Sequence, residues 1–156
     1  MALEFKLEVS GLDQVIRNLE AYRDKLVTGV PAALYEEASA IMRDSREHYV
    51  PVDTGRLKAT GKVLPPEVSG TKVTVAMGYG DAAVAYAAAV HENARAGKTG
   101  GASPSGRRYK HWASVGSWKY LELPFLAAER GMLGRLADRI RNAVAGRISS
   151  EFYGGG

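Results

Sequence analysis

A helical pattern gives way to a strand-rich one at residues 49–57, which read Tyr-Val-Pro-Val-Asp-Thr-Gly-Arg-Leu. Proline disfavours the α conformation at the residue before it, so Pro51 is expected to end the incoming helix. Asp53 and Thr54 carry oxygens that can accept hydrogen bonds from nearby backbone N–H groups, and Gly55 permits a positive φ. We therefore predict a structural turn, formed by Pro51, Val52, Asp53, Thr54, Gly55 and Leu57.

One strand and two helices are predicted before this turn. Residues 3–9 alternate between apolar and charged side chains, which is the period of a half-buried strand. Apolar residues then recur at helical spacing between Leu12 and Leu26. Thr28-Gly29 is interpreted as the end of this helix, and Pro31 suits the first turn of a second helix that runs to Tyr49.

A β-hairpin is predicted after the turn. Residues 71–79 alternate between apolar and small or polar side chains, and Ser69-Gly70 supplies the hairpin turn. Residues 61–69 contain Pro65-Pro66, which only an edge or bulged strand tolerates. Residues 110–120 are a candidate further strand of the same antiparallel sheet.

Helical segments complete the chain. The small apolar residues 82–90 predict a short buried helix, and Pro124 suits the first turn of a long basic C-terminal helix. We predict an α+β fold: a small antiparallel sheet packed against two N-terminal helices and one long C-terminal helix. The prediction is one domain over residues 1–156, with a flexible tail at 154–156.

Composition narrows the class of protein. The chain has 156 residues, no cysteine and a formal charge of +4, so disulfides and thiolate metal sites are excluded. Its first residues lack the basic and apolar regions of a signal peptide, and no apolar run approaches the roughly 18 residues of a membrane span. We expect no association with a membrane.

Residues 93–119 are basic and contain no Asp or Glu. Their cations are Arg95, Lys98, Arg107, Arg108, Lys110 and Lys119. Residues 94–108 are rich in Gly, Ser, Thr and Pro, which predicts a mobile loop. Two interpretations stay open for Arg95, Lys98, Arg107, Arg108 and Lys110: a loop that contacts a neighbouring subunit, or a loop that follows the phosphate backbone of DNA.

Asp53 and the three histidines are the candidates for a catalytic or metal-binding role. Asp53-Thr54-Gly55 matches the active-site triplet of aspartic proteases, and a homodimer would supply the required pair of carboxylates. The neighbouring Arg56 would oppose the shared proton, and the protease triplet lies between strands rather than after a helix. His48, His91 and His111 lack metal-ligand spacing, and no nucleophile elbow is present. We predict no enzyme, no metal and no cofactor.

The order of these parts resembles the tail-completion or neck proteins of long-tailed bacteriophages. The resemblance covers about residues 3–148, and it is carried by Phe5–Asp13, by Pro51–Leu57, by the segment from Tyr86-Ala87 to Glu92, and by Tyr120–Leu126. The chain departs from the family where His91-Glu92-Asn93 replaces an aliphatic-Glu-x-Gly-Thr ending and an inserted-looking loop, 94–108, follows.

This resemblance implies a non-enzymatic structural subunit of the virion. Copies of the subunit would form a ring, with six copies expected, at the head-tail junction. The partners implied are the head-closure or connector proteins on one side and the tail terminator or tail tube on the other. Genomic double-stranded DNA would pass through the channel, and assembly would take place in the cytoplasm of the bacterial host. The alternatives are a basic non-specific DNA-binding module and a homodimeric aspartic protease that uses Asp53.

Overall fold

The computed structural model describes residues 2–10, 23–94, 96–97 and 116–145. Its elements are β1 (Leu3–Val9), α1 (Arg23–Asp44), a π-helical turn (Ser45–Tyr49), α2 (Arg56–Ala59), β2 (Lys62–Val63), β3 (Glu67–Ser69), β4 (Lys72–Tyr79), α3 (Ala87–His91), α4 (Glu122–Glu129) and α5 (Met132–Val144). The α+β class is therefore confirmed.

The sheet is antiparallel and is organised around β4. β1 pairs with one edge of β4, in a register that runs from Leu3 opposite Tyr79 to Val9 opposite Val73. β2 and β3 both pair with β4 as well, and the order of the main path is β1-β4-β2. Because side chains alternate across a strand, this register places Leu7 in the core while its charged neighbours face outward.

The predicted strand over residues 61–69 is divided into β2 and β3, with Pro65-Pro66 between them. Both pair with β4, which agrees with the edge or bulged strand that the sequence predicts. Lys62 lies opposite Gly78 and Val63 opposite Met77, whereas Glu67 lies opposite Thr74. Three residues, 64–66, thus face two residues, 75–76, of β4. Proline has no N–H to give to a ladder, so the bulge at Pro65-Pro66 lets both halves of the strand stay paired.

The predicted break between the two N-terminal helices is wrong. α1 continues without interruption through Thr28, Gly29 and Pro31 to Asp44. The physical reason is a tertiary contact: a Cβ added to Gly29 would lie 2.9 Å from the Cβ of Ala143 in α5. The glycine is therefore a point of close helix packing rather than a helix end. The earlier part of the predicted first helix, residues 11–22, lies outside the described residues.

The predicted long C-terminal helix is two helices. α4 ends at Glu129, and α5 begins after Gly131, which has a φ of 74°. This bend brings Arg135 of α5 back onto α1. The Arg135 guanidinium donates to the buried carboxylate of Glu37, with Nε 2.9 Å from Oε1, and this contact raises the pKa of Arg135. Arg139 reaches Glu36 at 2.6 Å. Cations on this face of α5 are therefore used inside the fold.

The core lies between α1 and the sheet. α1 contributes Leu34, Ala38 and Ile41, and β4 contributes Val75 and Met77, all with at most 2% of their surface exposed. Residues 116–120 do not form the further strand that was expected, since Ser117 makes only an isolated bridge to Gly97. No helix among the described residues is both long enough and apolar enough to cross a bilayer.

Candidate functional site at the junction turn

Residues 50–57, here called the junction turn, have the backbone that the sequence predicts. The π-helical turn ends where the Val50 N–H donates to the Ser45 carbonyl oxygen at 2.8 Å, and Val50 is extended, with φ −68° and ψ 128°. Pro51 imposes this geometry. Val50 and Leu57 are buried at 1% and 6% exposure. The turn is thus fixed to the core at both ends.

Asp53 was expected to accept a hydrogen bond from a nearby backbone N–H group, as a helix cap does, and no such bond is present among the described residues. α2 begins after Gly55, which has a φ of 80° and no side-chain cap hydrogen bond at its N-terminus. A 3.5 Å hydrogen bond joins the Arg56 N–H to the Thr54 hydroxyl. Asp53 itself is exposed. The capping role is therefore wrong, and the backbone freedom of Gly55 explains the turn instead.

The Asp-Thr-Gly triplet lies between the π-helical turn and α2 rather than between two strands. Leu57 anchors its C-terminal side and Pro51, which is buried, anchors its N-terminal side. This arrangement suits a structural joint, because each flank of the turn is held by packing while the triplet faces solvent.

The junction turn also holds the base of the basic segment, which we define as residues 98–115. The Ser117 N–H donates to the Tyr49 carbonyl oxygen at 2.7 Å, and Ser117 forms a bridge with Gly97. A Cβ added to Gly116, whose φ is 82°, would lie 2.5 Å from Pro51 N and 2.6 Å from Tyr49 O. Only glycine fits there. The basic segment therefore begins and ends at neighbouring points beside the turn.

The basic segment contains the whole excess of positive charge. It has four cations, Lys98, Arg107, Arg108 and Lys110, and no Asp or Glu. Without these four, the 21 Lys and Arg of the chain fall to 17, which equals the 17 Asp and Glu. These four cations, together with Arg95, lie outside the described residues, so the structure locates the base of their segment but not their side chains.

A network of buried hydrogen bonds connects the base of the basic segment to the rest of the fold. The Ser45 hydroxyl donates to the Tyr120 carbonyl oxygen at 2.6 Å and lies 2.9 Å from the Tyr79 hydroxyl. Since a serine hydroxyl has one hydrogen, Tyr79 is the donor in the second bond. The Tyr120 hydroxyl donates to the Ala87 carbonyl oxygen at 2.6 Å. The network thus joins the π-helical turn, β4, α3 and the segment before α4.

Burial controls the protonation of both tyrosines. It raises the pKa of Tyr79 to about 12 and raises the pKa of Tyr120 still further above its ordinary value. Both hydroxyls are therefore neutral donors at physiological pH. Their rings meet edge to face, with centroids 5.1 Å apart, which adds to the packing.

His91, Glu92 and Glu122 form a cluster whose possible ligand atoms lie within 4.8 Å of one another. The ammonium group of Lys119 forms ion pairs with both carboxylates of this cluster, at 2.7 Å from Glu122 and 3.0 Å from Glu92. These contacts raise the pKa of Lys119. The hydrogen bond from His91, followed by that from Lys119, lowers the pKa of Glu92.

The buried imidazole of His91 is fully hydrogen-bonded. Its Nδ1 lies 2.6 Å from Glu92 Oε1, and its Nε2 accepts from the Glu122 N–H at 3.4 Å. The acceptor role of Nε2 assigns the proton to Nδ1 in the neutral ring. Nε2 therefore links α3 to the start of α4, whereas Nδ1 bonds the residue that directly follows His91. Among the described residues, Lys119 is the cation that both carboxylates of this cluster contact.

Sequence reasoning missed Ser45, Tyr120 and Lys119 as parts of this region. A serine within a helical run carries no signal that it will meet a carbonyl 75 positions away. The sequence indicates only a candidate strand over residues 110–120, which includes both Lys119 and Tyr120. Lys119 instead has a φ of 53°, a conformation that costs an L-residue about 1–2 kcal/mol.

Comparison of the chain with protein-family models, with curated proteins and with solved structures finds no match.

Proposed function

We propose that this chain is a non-enzymatic structural subunit of a bacteriophage virion. Its copies form a ring, with six copies expected, at the head-tail junction, where they join tail to head around the DNA channel. The proposed neighbours are the head-closure or connector proteins and the tail terminator or tail tube. Assembly takes place in the cytoplasm of the bacterial host. The sequence resemblance suggests this role, and three features of the structure support it.

The main observation in support of this proposal is that exposed large apolar side chains are concentrated near the C-terminal helices. Eight large apolar residues are exposed among those that the structure describes, and four of them fall between positions 118 and 133: Trp118, Leu123, Leu126 and Leu133. Leu123 and Leu126 are three residues apart in α4 and so share one face. Leu133 is 81% exposed. We take this exposed apolar group as the proposed contact between subunits.

The second feature is the rigid base of the basic segment. Outside the basic segment the chain has equal numbers of basic and acidic residues. The segment's two ends are joined by the bridge between Gly97 and Ser117. In a ring, each copy can therefore present four cations to the DNA in the lumen. Cations that meet phosphates without base contacts bind any sequence, as passage of a genome requires.

The third feature is that charged side chains of the types found in catalytic sites form ion pairs with other residues of the same subunit. Glu92 pairs with both His91 and Lys119, and Glu37 pairs with Arg135. These contacts stabilise the subunit, which is what an assembly component needs.

The experiment is sedimentation velocity on paired surface variants. In Leu126→Ser/Leu133→Ser two leucines of the proposed contact become polar, and this variant is expected to sediment as smaller species than the unmodified chain. The matched control is Val27→Ser/Val68→Ser, whose side chains are 51% and 54% exposed; it is expected to assemble normally. Equal behaviour of the two variants would contradict the proposed contact.

A basic DNA-binding module acting alone is the second candidate, and the charge of the basic segment favours it. This candidate predicts a monomer or dimer whose affinity for DNA falls steeply with salt. The ring predicts a larger assembly and weak affinity of each subunit for free DNA. Measuring mass and DNA affinity on the same preparation separates the two.

A further inference from the structure

A second basic surface lies on the other elements that flank the junction turn. A groove of about 500 Å³ runs between α1 and the segment from α2 to β2. It is lined by Tyr35, Ser39, Met42, Arg43, Arg46, Glu47, Lys58, Gly61, Lys62 and Val63. Arg43 and Arg46 come from the end of α1 and the π-helical turn, whereas Lys58 and Lys62 come from α2 and β2. We call this the basic groove.

The charge of the basic groove is strongly one-sided. Four cations line it, and Glu47 is its only acidic residue. Outside the basic segment the chain is balanced, with 17 basic and 17 acidic residues. The excess at the groove is therefore a local concentration of charge rather than a reflection of a basic protein.

The four cations have no anionic partner within the described part of the chain. Several cations outside the groove are paired: Lys6 with Glu4, Lys72 with Glu8, and Arg135 with Glu37. Six Lys and Arg side chains among the described residues form no ion pair: Arg43, Arg46, Arg56, Lys58, Lys62 and Arg130. All except Arg56 and Arg130 line the groove. Unpaired like charges repel one another, and a bound anion would offset this repulsion.

The donors suit phosphate. Arginine offers a planar fork that matches phosphate oxygens, and lysine offers a point charge. The hydroxyl of Ser39 adds a neutral donor on the same wall as Arg43. The cations lie on both walls of the groove, which fits a phosphate backbone followed along its length better than one converging phosphate.

We propose that the basic groove binds the phosphodiester backbone of double-stranded DNA. This inference rests on the proposed function, which places DNA next to the subunit, and it adds a contact surface distinct from the basic segment. The groove and the base of the basic segment flank the same turn, since Arg46 precedes Tyr49 in the π-helical turn and Tyr49 accepts the hydrogen bond from Ser117.

The test is the affinity of the full chain for a fluorescent DNA duplex, followed by anisotropy over a range of salt concentrations. Arg43→Gln/Lys62→Gln is expected to bind about tenfold more weakly at low salt, and the slope of log affinity against log salt should become shallower by about two. The matched control Arg130→Gln/Arg141→Gln removes the same charge from the C-terminal helices and is expected to keep its affinity within about twofold.

A substitution of opposite sign sharpens the test. Glu47→Gln removes the one acidic side chain of the groove and is expected to tighten binding about threefold. The control Glu129→Gln, at an exposed position of α4, should leave it unchanged. All these positions are exposed, so thermal melts should stay close to that of the unmodified chain.

Three results would overturn the inference: equal loss of affinity in the groove variant and its control, no tightening by Glu47→Gln, or binding of a mononucleotide in place of the duplex. If the chain forms rings and the groove variants bind DNA as the unmodified chain does, the proposed DNA contact at the groove is contradicted and the proposed ring is not. A monomeric chain whose DNA binding depends on the groove would instead remove the ring and favour the DNA-binding module.

Discussion

Ser45 and Tyr120 lie 75 positions apart in the sequence, yet the Ser45 hydroxyl donates a 2.6 Å hydrogen bond to the Tyr120 carbonyl oxygen. The same hydroxyl accepts from Tyr79 at 2.9 Å. One small side chain thus ties the end of the N-terminal helical segment to the sheet and to the start of the C-terminal helices. This bond keeps the junction turn and the base of the basic segment in a fixed relation.

Ser45→Ala should destabilise the subunit by about 1–3 kcal/mol, because the buried Tyr79 hydroxyl and Tyr120 carbonyl would lose their partner. The measurement is urea denaturation at neutral pH. Ser39→Ala makes the same chemical change six residues earlier, at a partly exposed position that lines the basic groove, and should change the free energy of unfolding by less than about 0.5 kcal/mol. Equal effects would contradict the role given to Ser45.

Stability should fall in alkaline solution as Tyr79 titrates. In the unfolded chain a tyrosine loses its proton near pH 10, whereas in the fold burial raises the pKa of Tyr79 to about 12. The stabilisation is therefore complete below about pH 10 and is lost as pH rises to about 12. Denaturation series at several pH values check this. Tyr79→Phe should show a flatter dependence, and an unchanged slope would contradict the assignment.

Gly116→Ala should destabilise the subunit by at least about 2 kcal/mol, since alanine would adopt a φ of 82° and its Cβ would press on the backbone at Tyr49 and Pro51. The matched control is Gly134→Ala within α5, where an added Cβ meets nothing within 4 Å. That change should stabilise by about 1 kcal/mol. Thermal denaturation of both variants checks the opposite signs, and a neutral Gly116→Ala would contradict the close packing of the segment base.

Asp53→Ala should change the free energy of unfolding by less than about 0.5 kcal/mol, because Asp53 is exposed and α2 has no side-chain cap. Gly55→Ala should cost about 1–2 kcal/mol, since it places a side chain at a φ of 80°. A peptide-cleavage assay at acidic pH accompanies the stability measurement. Cleavage that disappears with Asp53→Ala would support the homodimeric aspartic protease and contradict the structural role.

Local signals predicted the parts of the fold in which one sequence feature controls one backbone feature. The alternation in residues 3–9 and 71–79 predicted two strands that pair in the structure. Pro51 predicted the extended Val50, and Pro65-Pro66 predicted an edge or bulged strand, which agrees with the bulge between β2 and β3. Each of these follows from sterics or from the period of the strand, which act within a few residues.

Distant contacts explain what the sequence did not predict. Thr28-Gly29 resembles a helix end, but packing against Ala143 makes the glycine part of a continuous helix. The bend at Gly131 lets Arg135 pair with Glu37, which lies 98 positions away and gives no local signal. The basic groove combines side chains of several elements, none of which carries a recognisable motif. Such features depend on tertiary structure, which overrides local propensity.

The most direct test of the central claim is the absolute mass of the unmodified chain, measured by size-exclusion chromatography with light scattering over a series of protein concentrations. One chain has a mass of 16.7 kDa, so a ring of six copies predicts a species of about 100 kDa that persists on dilution. A chain that elutes with the mass of a single copy at every concentration would contradict the proposal that its own surfaces close a ring.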